Sequence, residues 1–230
     1  MLEQHPSAKV VCADNGVKGE FRVRDLTVIS PDLTAKTRTK VRESGNQFWT
    51  APGLAYYSPR LANERIGTVS CALELSKSLN RKISVCDPYA GVGPSVIPLA
   101  NLNQAVSQIY ASDLNPHAAE LLGLNLPNQW TGCRDARQLS KELAECCDLL
   151  LVNLPHDSIS HLPDLLDLLR KGHEVVIRGW AILALDSINQ AETEIRKILS
   201  QCEILSLALE TNRSYSPTDA YVCIEAHIIR

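Results

Sequence analysis

Long apolar runs are missing from this 230-residue sequence; none approaches the ~20 residues that cross a bilayer. Internal repeats and low-complexity tracts are also missing, which excludes disordered, collagen-like and mucin-like chains. No two of the eight cysteines have C-x-x-C spacing, so neither a zinc site nor a thioredoxin-like motif is expected. Most cysteines lie in apolar stretches such as Ser84-Val85-Cys86 and Tyr221-Val222-Cys223, where a reduced thiol behaves as a small hydrophobe. The amino end has neither a basic start followed by an apolar stretch nor an Arg/Ser-rich amphipathic pattern. The expectation is a soluble, cytoplasmic protein with no metal site, no membrane contact and no implied protein partner.

What is present is an ordinary globular composition, 45% hydrophobic and 21% charged. That length holds one main domain of roughly 150 residues and a smaller one. Charge is unevenly placed. Residues 1–65 carry 10 Lys/Arg against 7 Asp/Glu, whereas residues 66–230 carry 13 against 19. Within residues 18–42 the count is 7 against 3. A basic stretch on an acidic body is either a phosphate-binding face or ordinary solvated charge.

Two regimes follow one another. Up to Pro59, period-two patterning in 19–30 and 35–49, punctuated by Gly19, Pro31, Gly45 and Pro52, predicts a small, mainly β module. From Arg60 onward strands and helices alternate: a helix over 61–79, then strands near 82–88, 109–114, 130–136, 148–155 and 173–183. Helices near 95–103, 117–126, 137–145, 162–171 and 187–200 separate and follow them. Repeated βα units with apolar strands predict an α/β fold with a doubly wound, Rossmann-like parallel sheet. Two final strands, 203–209 and 220–229, come without a helix between them and are placed to add one antiparallel strand. The division is therefore 1–59, a small basic β module, and 60–230, the main domain.

The sharpest local signal is Asp87-Pro-Tyr89-Ala-Gly91-Val-Gly93-Pro94, directly after a strand. The two glycines allow a tight turn and a close approach to a ligand. The third glycine of a dinucleotide fingerprint and the Gly-Lys-Ser/Thr of a P-loop are both absent. The next strand ends in Asp113, which reads either as a ribose-binding carboxylate or, with Asn115-Pro116, as part of a helix cap. The third ends in Asp135-Ala136 and the fourth in Asn153-Leu154-Pro155. Four successive strand ends of this kind face one crevice and together point to a nucleoside cofactor.

This series resembles the motif order of class I S-adenosylmethionine-dependent methyltransferases. From about residue 15 to the last residue, the chain resembles the archaeal and eukaryotic type of tRNA (guanine-37-N1)-methyltransferase. The marks are Gly16–Asp25, Thr39–Gly45, Tyr57-Ser-Pro-Arg60 through Glu64-Arg65, the crevice motifs and Ser214–Pro217.

The resemblance implies methyl transfer from S-adenosylmethionine to N1 of guanosine 37 of a tRNA. Glu64 matches the general base and Arg22 the arginine that supports catalysis. Arg65, Asp87, Tyr89, Gly91, Gly93, Asp113, Leu114, Asp135, Ala136, Asn153 and Pro155 fall at the cofactor. Arg24, Lys36, Arg38, Lys40, Arg42, Tyr57 and Arg60 are expected at the RNA, with the four cations of 36–42 on one strand face. Arg22 and Arg24 are expected on opposite faces of another strand. Relatives often carry an additional amino-terminal domain that grips tRNA; only about 15 residues precede the similarity here, so that grip is not expected.

Alternatives remain. A wybutosine-pathway transferase would move an aminocarboxypropyl group or methylate a tricyclic base. A guanine-26 dimethyltransferase would carry Asp-Pro-Phe-Gly at the fourth strand, where this sequence has Asn-Leu-Pro. A catalytically idle module would bind tRNA or S-adenosylmethionine without turnover.

Overall fold

Two strands with no exposed residue, β5 (Ile83–Asp87) and β8 (Leu149–Val152), form the centre of the fold. In this computed structural model residues 8, 10–30, 32–34 and 36–230 are described. Most of the amino-terminal segment read for a targeting signal, and Pro31, lie outside them.

The main sheet has the order β10-β11-β9-β8-β5-β6-β7, where β6 is Val106–Asp113, β7 Trp130–Cys133, β9 Glu174–Ala184, β10 Glu203–Ser214 and β11 Asp219–Ile229. Strands β5 to β9 are parallel. Strand β11 runs antiparallel to both β9 and β10, so the expected final hairpin inserts its second strand inside the sheet. From β5 the chain winds outward to β6 and β7, then returns to β8 and β9 on the other side. The switch lies between β5 and β8, where doubly wound sheets open a ligand crevice.

Both faces are covered because the strand residues alternate between two cores. Val85, Ile109, Leu149 and Leu151 meet the helices α1 (Ala62–Ser78), α2 (Val96–Ala100) and α3 (Pro116–Asn125). Cys86, Leu150, Val152 and Ile177 meet α5 (Ser158–Leu165) and α6 (Ile188–Ile198). Each fully buried leucine contributes about 1.5–3 kcal/mol.

Two expected helices are altered. The segment read as a helix over 137–145 is a single 3₁₀ turn at Ala136–Gln138 followed by α4 (Ser140–Leu143). Asp135 caps the turn through the Arg137 amide, and Glu145, at φ +52°, ends the helical path. The helix read over 162–171 starts four residues earlier and gives way to 3₁₀ at Leu166–Leu168. Leu162, Leu165 and Leu168, all buried, repeat every three residues, the period of a 3₁₀ helix.

The amino-terminal region forms two hairpins, β1 (Cys12–Lys18) with β2 (Val23–Val28), and β3 (Thr39–Glu43) with β4 (Asn46–Thr50). The second hairpin is tied to the main body. Phe48 and Ala51 share a core with Leu75 and Val92, and Asn125 of α3 clamps Trp49 by accepting from its amide (2.7 Å) and donating to its carbonyl (2.9 Å). No described helix is long and apolar enough to cross a membrane.

Candidate active site

The turn after β5 is built by its glycines. Gly91 and Gly93 take φ +57° and +92°, and a Cβ on Gly93 would stand 2.9 Å from Leu122 Cδ1. The Gly91 amide donates to Asp113 Oδ2 (2.8 Å), and the Asn115 amide donates to Oδ1 (2.8 Å). Asp113 is thus locked at the end of β6, and each of its oxygens keeps a lone pair free. Burial raises its pKa, against the two amides that lower it. Asn115 caps α3 by accepting from the His117 amide (3.0 Å). Asp87, beneath the turn, is buried and pushed up to about 7 by burial, against the Tyr89 amide and with the help of nearby Asp113.

Around this turn, Tyr89 bonds His161 through its hydroxyl (2.9 Å) and Ala136 is buried. Leu114 stands 48% exposed beside Asp113. Asp135 is held by the Arg137 guanidinium, which pulls its carboxyl below the usual range. Asn153 and Pro155 leave the buried β8 at the crevice edge, where the Ile182 amide donates to the Pro155 carbonyl (2.8 Å).

From Pro155 a chain of contacts leads to Glu64. Ile182 pairs with Tyr221, and the Arg213 guanidinium lies 4.9 Å from the Tyr221 ring centre. Arg213 Nε faces Glu64 Oε1 at 4.0 Å. Glu64, in the first turn of α1, has a side chain only 9% exposed, and its Oε2 is buried with no hydrogen-bond partner. An unsatisfied buried carboxylate oxygen is costly and calls for a donor supplied by something else.

Several expected site residues lie elsewhere. Arg22 is in the β1–β2 turn at φ +49°, with its amide on the Gly19 carbonyl, and so does not share a strand with Arg24. Among the described residues Arg22 makes no ion pair; the guanidinium that faces Glu64 is Arg213. Arg65 is buried, bonded twice to Glu43 (2.5 Å each) and once to the Ser58 carbonyl (2.9 Å). Tyr57 donates its hydroxyl to the same Glu43 (2.8 Å); burial and that bond push its pKa up to about 12. These three residues fasten the β3–β4 hairpin to α1. Arg60 lends its carbonyl to Arg213 (3.5 Å).

Of the four cations in 36–42, only Lys40 and Arg42 lie in β3; Arg38 and Lys40 each sit 4.8 Å from the Trp49 ring centre. A groove of about 490 Å³ opens between the first hairpin and α3, lined by Lys18, Arg24, Lys36 and Arg38 among others. Surface ion pairs to Asp25, Asp14 and Glu120 hold Lys18, Arg24 and Arg38 there.

Sequence reading missed Arg213 and Glu43. Arg213 directly precedes the Ser214–Pro217 motif, and that adjacency was the available signal. The expected strand stopped at Leu209, whereas β10 runs on to Ser214 and carries Arg213 to Glu64.

A doubly wound sheet with a double-glycine turn, acid-ended strands and an antiparallel strand beside its last parallel one is an α/β domain of the class that opens a ligand crevice at its strand ends. The chain belongs to the TRM5/TYW2 methyltransferase domain family, whose match covers residues 39–209. It is 29% identical over 214 residues to the tRNA (guanine(37)-N(1))-methyltransferase Trm5b of Methanocaldococcus jannaschii, covering 92% of this chain and 58% of that protein. Against Trm5b of Pyrococcus abyssi the identity is 31% over 166 residues, covering 70% and 47%. The solved complex of aTrm5 with tRNALeu superposes with a TM-score of 0.70 at 28% identity, over 97% of this chain and 62% of that one. The chain thus spans about half to three-fifths of the length of these relatives.

Proposed function

We propose that the chain carries an S-adenosylmethionine-dependent methyltransferase activity that methylates N1 of guanosine 37 in the anticodon loop of tRNA, in the cytoplasm. Residues 60–230 bind the cofactor and perform the chemistry, and residues 1–59 face the RNA. The observation that carries this reading is the buried, unpartnered Oε2 of Glu64 beside Arg213 at the crevice edge. The names of the relatives, the tRNA complex among them, support it.

The crevice fits the cofactor. Asp113 offers free lone pairs to two ribose hydroxyls, Leu114 an exposed apolar side chain to the base, and Asn153 to Pro155 an open strand end. When bound, S-adenosylmethionine supplies a methyl group already activated on a sulfonium sulfur. The protein must supply alignment and proton removal. Guanine N1 carries a proton, and Glu64 Oε2 would accept it as N1 is methylated. Charge that develops on O6 needs a fixed cation, and Arg213 is the guanidinium nearest to Glu64. Arg22, in the β1–β2 turn, is the alternative cation for this role. The groove lined by Lys18, Arg24, Lys36 and Arg38 holds backbone phosphates.

The test is mass analysis of nucleosides after reaction of the protein with S-adenosylmethionine and unmodified tRNA. A gain of one methyl on guanosine 37 is expected. A larger adduct selects the aminocarboxypropyl reaction, and no product under single-turnover conditions selects a binding module.

A further inference from the structure

Three cysteines that share no sequence spacing meet in space. Cys86 lies on β5, Cys146 and Cys147 lie in the turn before β8, and all three Sγ atoms are within 4.8 Å of one another. Neighbouring residues of an extended chain point to opposite sides. Here the pair follows Glu145 at φ +52° in an irregular turn rather than a strand, and both sulfurs lie within reach of Cys86. Backbone bonds fix that turn: Glu145 donates to Asp167 (2.8 Å), Cys147 to Leu168 (3.1 Å) and Arg170 to Cys147 (2.9 Å). Cys86 and Cys147 are wholly buried and Cys146 is 7% exposed, among Leu139, Leu150, Leu165 and Leu168. The Cys147 thiol also donates to the Leu168 carbonyl at 3.3 Å.

We propose that Cys86, Cys146 and Cys147 form a three-thiolate socket for a soft trivalent ion of the arsenic(III) class. A pyramidal ion ~2.3 Å from each sulfur holds them ~3.5 Å apart, about 1.3 Å or less from the separations of up to 4.8 Å seen here. Thiolates select soft ions. Closed zinc sites take four ligands, and among the described residues no fourth His, Cys, Asp or Glu joins the group. Charge decides between the remaining soft ions. Three thiolates leave a monovalent ion doubly negative and a trivalent ion neutral, and an apolar interior strongly disfavours uncompensated charge. The exchange with arsenous acid involves no oxidation or reduction. Three As–O and three S–H bonds break, three As–S bonds form, and the three hydroxyl groups leave as water. Entry is from the side of Cys146, the one member of the cluster with any surface exposure.

The full chain, reduced with a phosphine that is then removed, is incubated with arsenite and examined by native mass spectrometry and arsenic X-ray absorption. One arsenic per chain with three sulfur neighbours and no oxygen is expected, together with a rise in melting temperature. Cys133→Ala, which alters an exposed cysteine outside the cluster, is expected to behave as wild type. Cys146→Ala is expected to weaken binding at least 100-fold. An adduct with two sulfurs and an oxygen, an adduct kept at full strength by Cys146→Ala, or no adduct in the wild type overturns the proposal. The wild-type coordination data decide the matter even if Cys146→Ala fails to fold.

Discussion

Arg213 Nε stands 4.0 Å from Glu64 Oε1, so the last hairpin of the sheet supplies a cation to the first turn of the helix that opens the main domain. Tyr221 and Ile182 connect the pair to Pro155, so a continuous run of contacts joins Glu64 to the end of β8.

Glu64→Gln is expected to retain fold and ligand binding while single-turnover methylation falls by about 10²- to 10⁴-fold. The loss should shrink as pH rises, because guanine that has already lost its N1 proton needs no base. Methylation by Glu64→Gln at the wild-type rate near neutral pH would reduce Glu64 to a helix-start carboxylate.

Arg213→Ala is expected to slow the same step while leaving cofactor affinity unchanged, and Arg213→Lys to restore part of the rate by returning the charge without the planar fork. A parallel series at Arg22 separates the two guanidiniums. If only the Arg22 series slows methylation, the cation that assists the reaction comes from the hairpin turn.

Asp113→Ala is expected to weaken S-adenosylhomocysteine binding by about tenfold or more, since hydrogen bonds to a charged group contribute roughly 1.5–3 kcal/mol. Isothermal calorimetry gives the number directly. Unchanged affinity would leave Asp113 only its role in closing the glycine turn.

Asp148 supports the opposite end of the sheet. It is fully buried at the start of β8 and accepts from Arg81 (2.8 and 3.1 Å), Arg170 (3.1 Å), His173 (2.8 Å) and the Ser84 amide (2.7 Å). Burial pushes its pKa up, but these donors outweigh burial and hold it at about 2, below its ordinary 3.8. A carboxyl depressed in the folded state stabilises fully above its unfolded pKa, and that contribution fades as pH falls toward the folded value. Asp148→Asn is therefore expected to cost about 2 kcal/mol near pH 7, below the cost of breaking a wholly buried pair because both arginines reach solvent. The gap between wild type and variant in urea unfolding should narrow between about pH 4 and pH 2. A gap that stays constant with pH would assign the effect to packing.

Lys36→Gln is expected to lower the slope of log tRNA affinity against log salt by a little under one unit if Lys36 contacts a phosphate. Fluorescence titration across a salt series measures it. An unaltered slope in a variant that also replaces Lys18, Arg24 and Arg38 would move the RNA away from the groove.

The sheet was legible because β5 and β8 are short apolar runs bounded by turns, and the crevice was legible because its residues sit at strand ends in chain order. The pairing of Glu64 with Arg213 was not, since residues so far apart in sequence are joined only by the closing of the last hairpin. The partners of Arg65 were hidden for a related reason. Its motif put it beside Glu64, but consecutive helical residues project about 100° apart, and Arg65 turns inward to Glu43 on β3. The cysteine cluster escaped a spacing rule because Cys86 lies on β5, about 60 residues before the adjacent pair in the turn ahead of β8.

Strand β11 lies between β9 and β10, although it follows both in the chain. The outer edge of β9 pairs only with β11, which begins some 35 residues after β9 ends. A ribosome adding roughly 5–20 residues per second leaves that edge open for seconds. During that interval Val175, Val176 and Ile177 border an unpaired row of amides and carbonyls, a ready template for pairing with another nascent chain. The yield of native protein should therefore depend on how fast the segment from α6 to β11 is translated, even when no residue is changed.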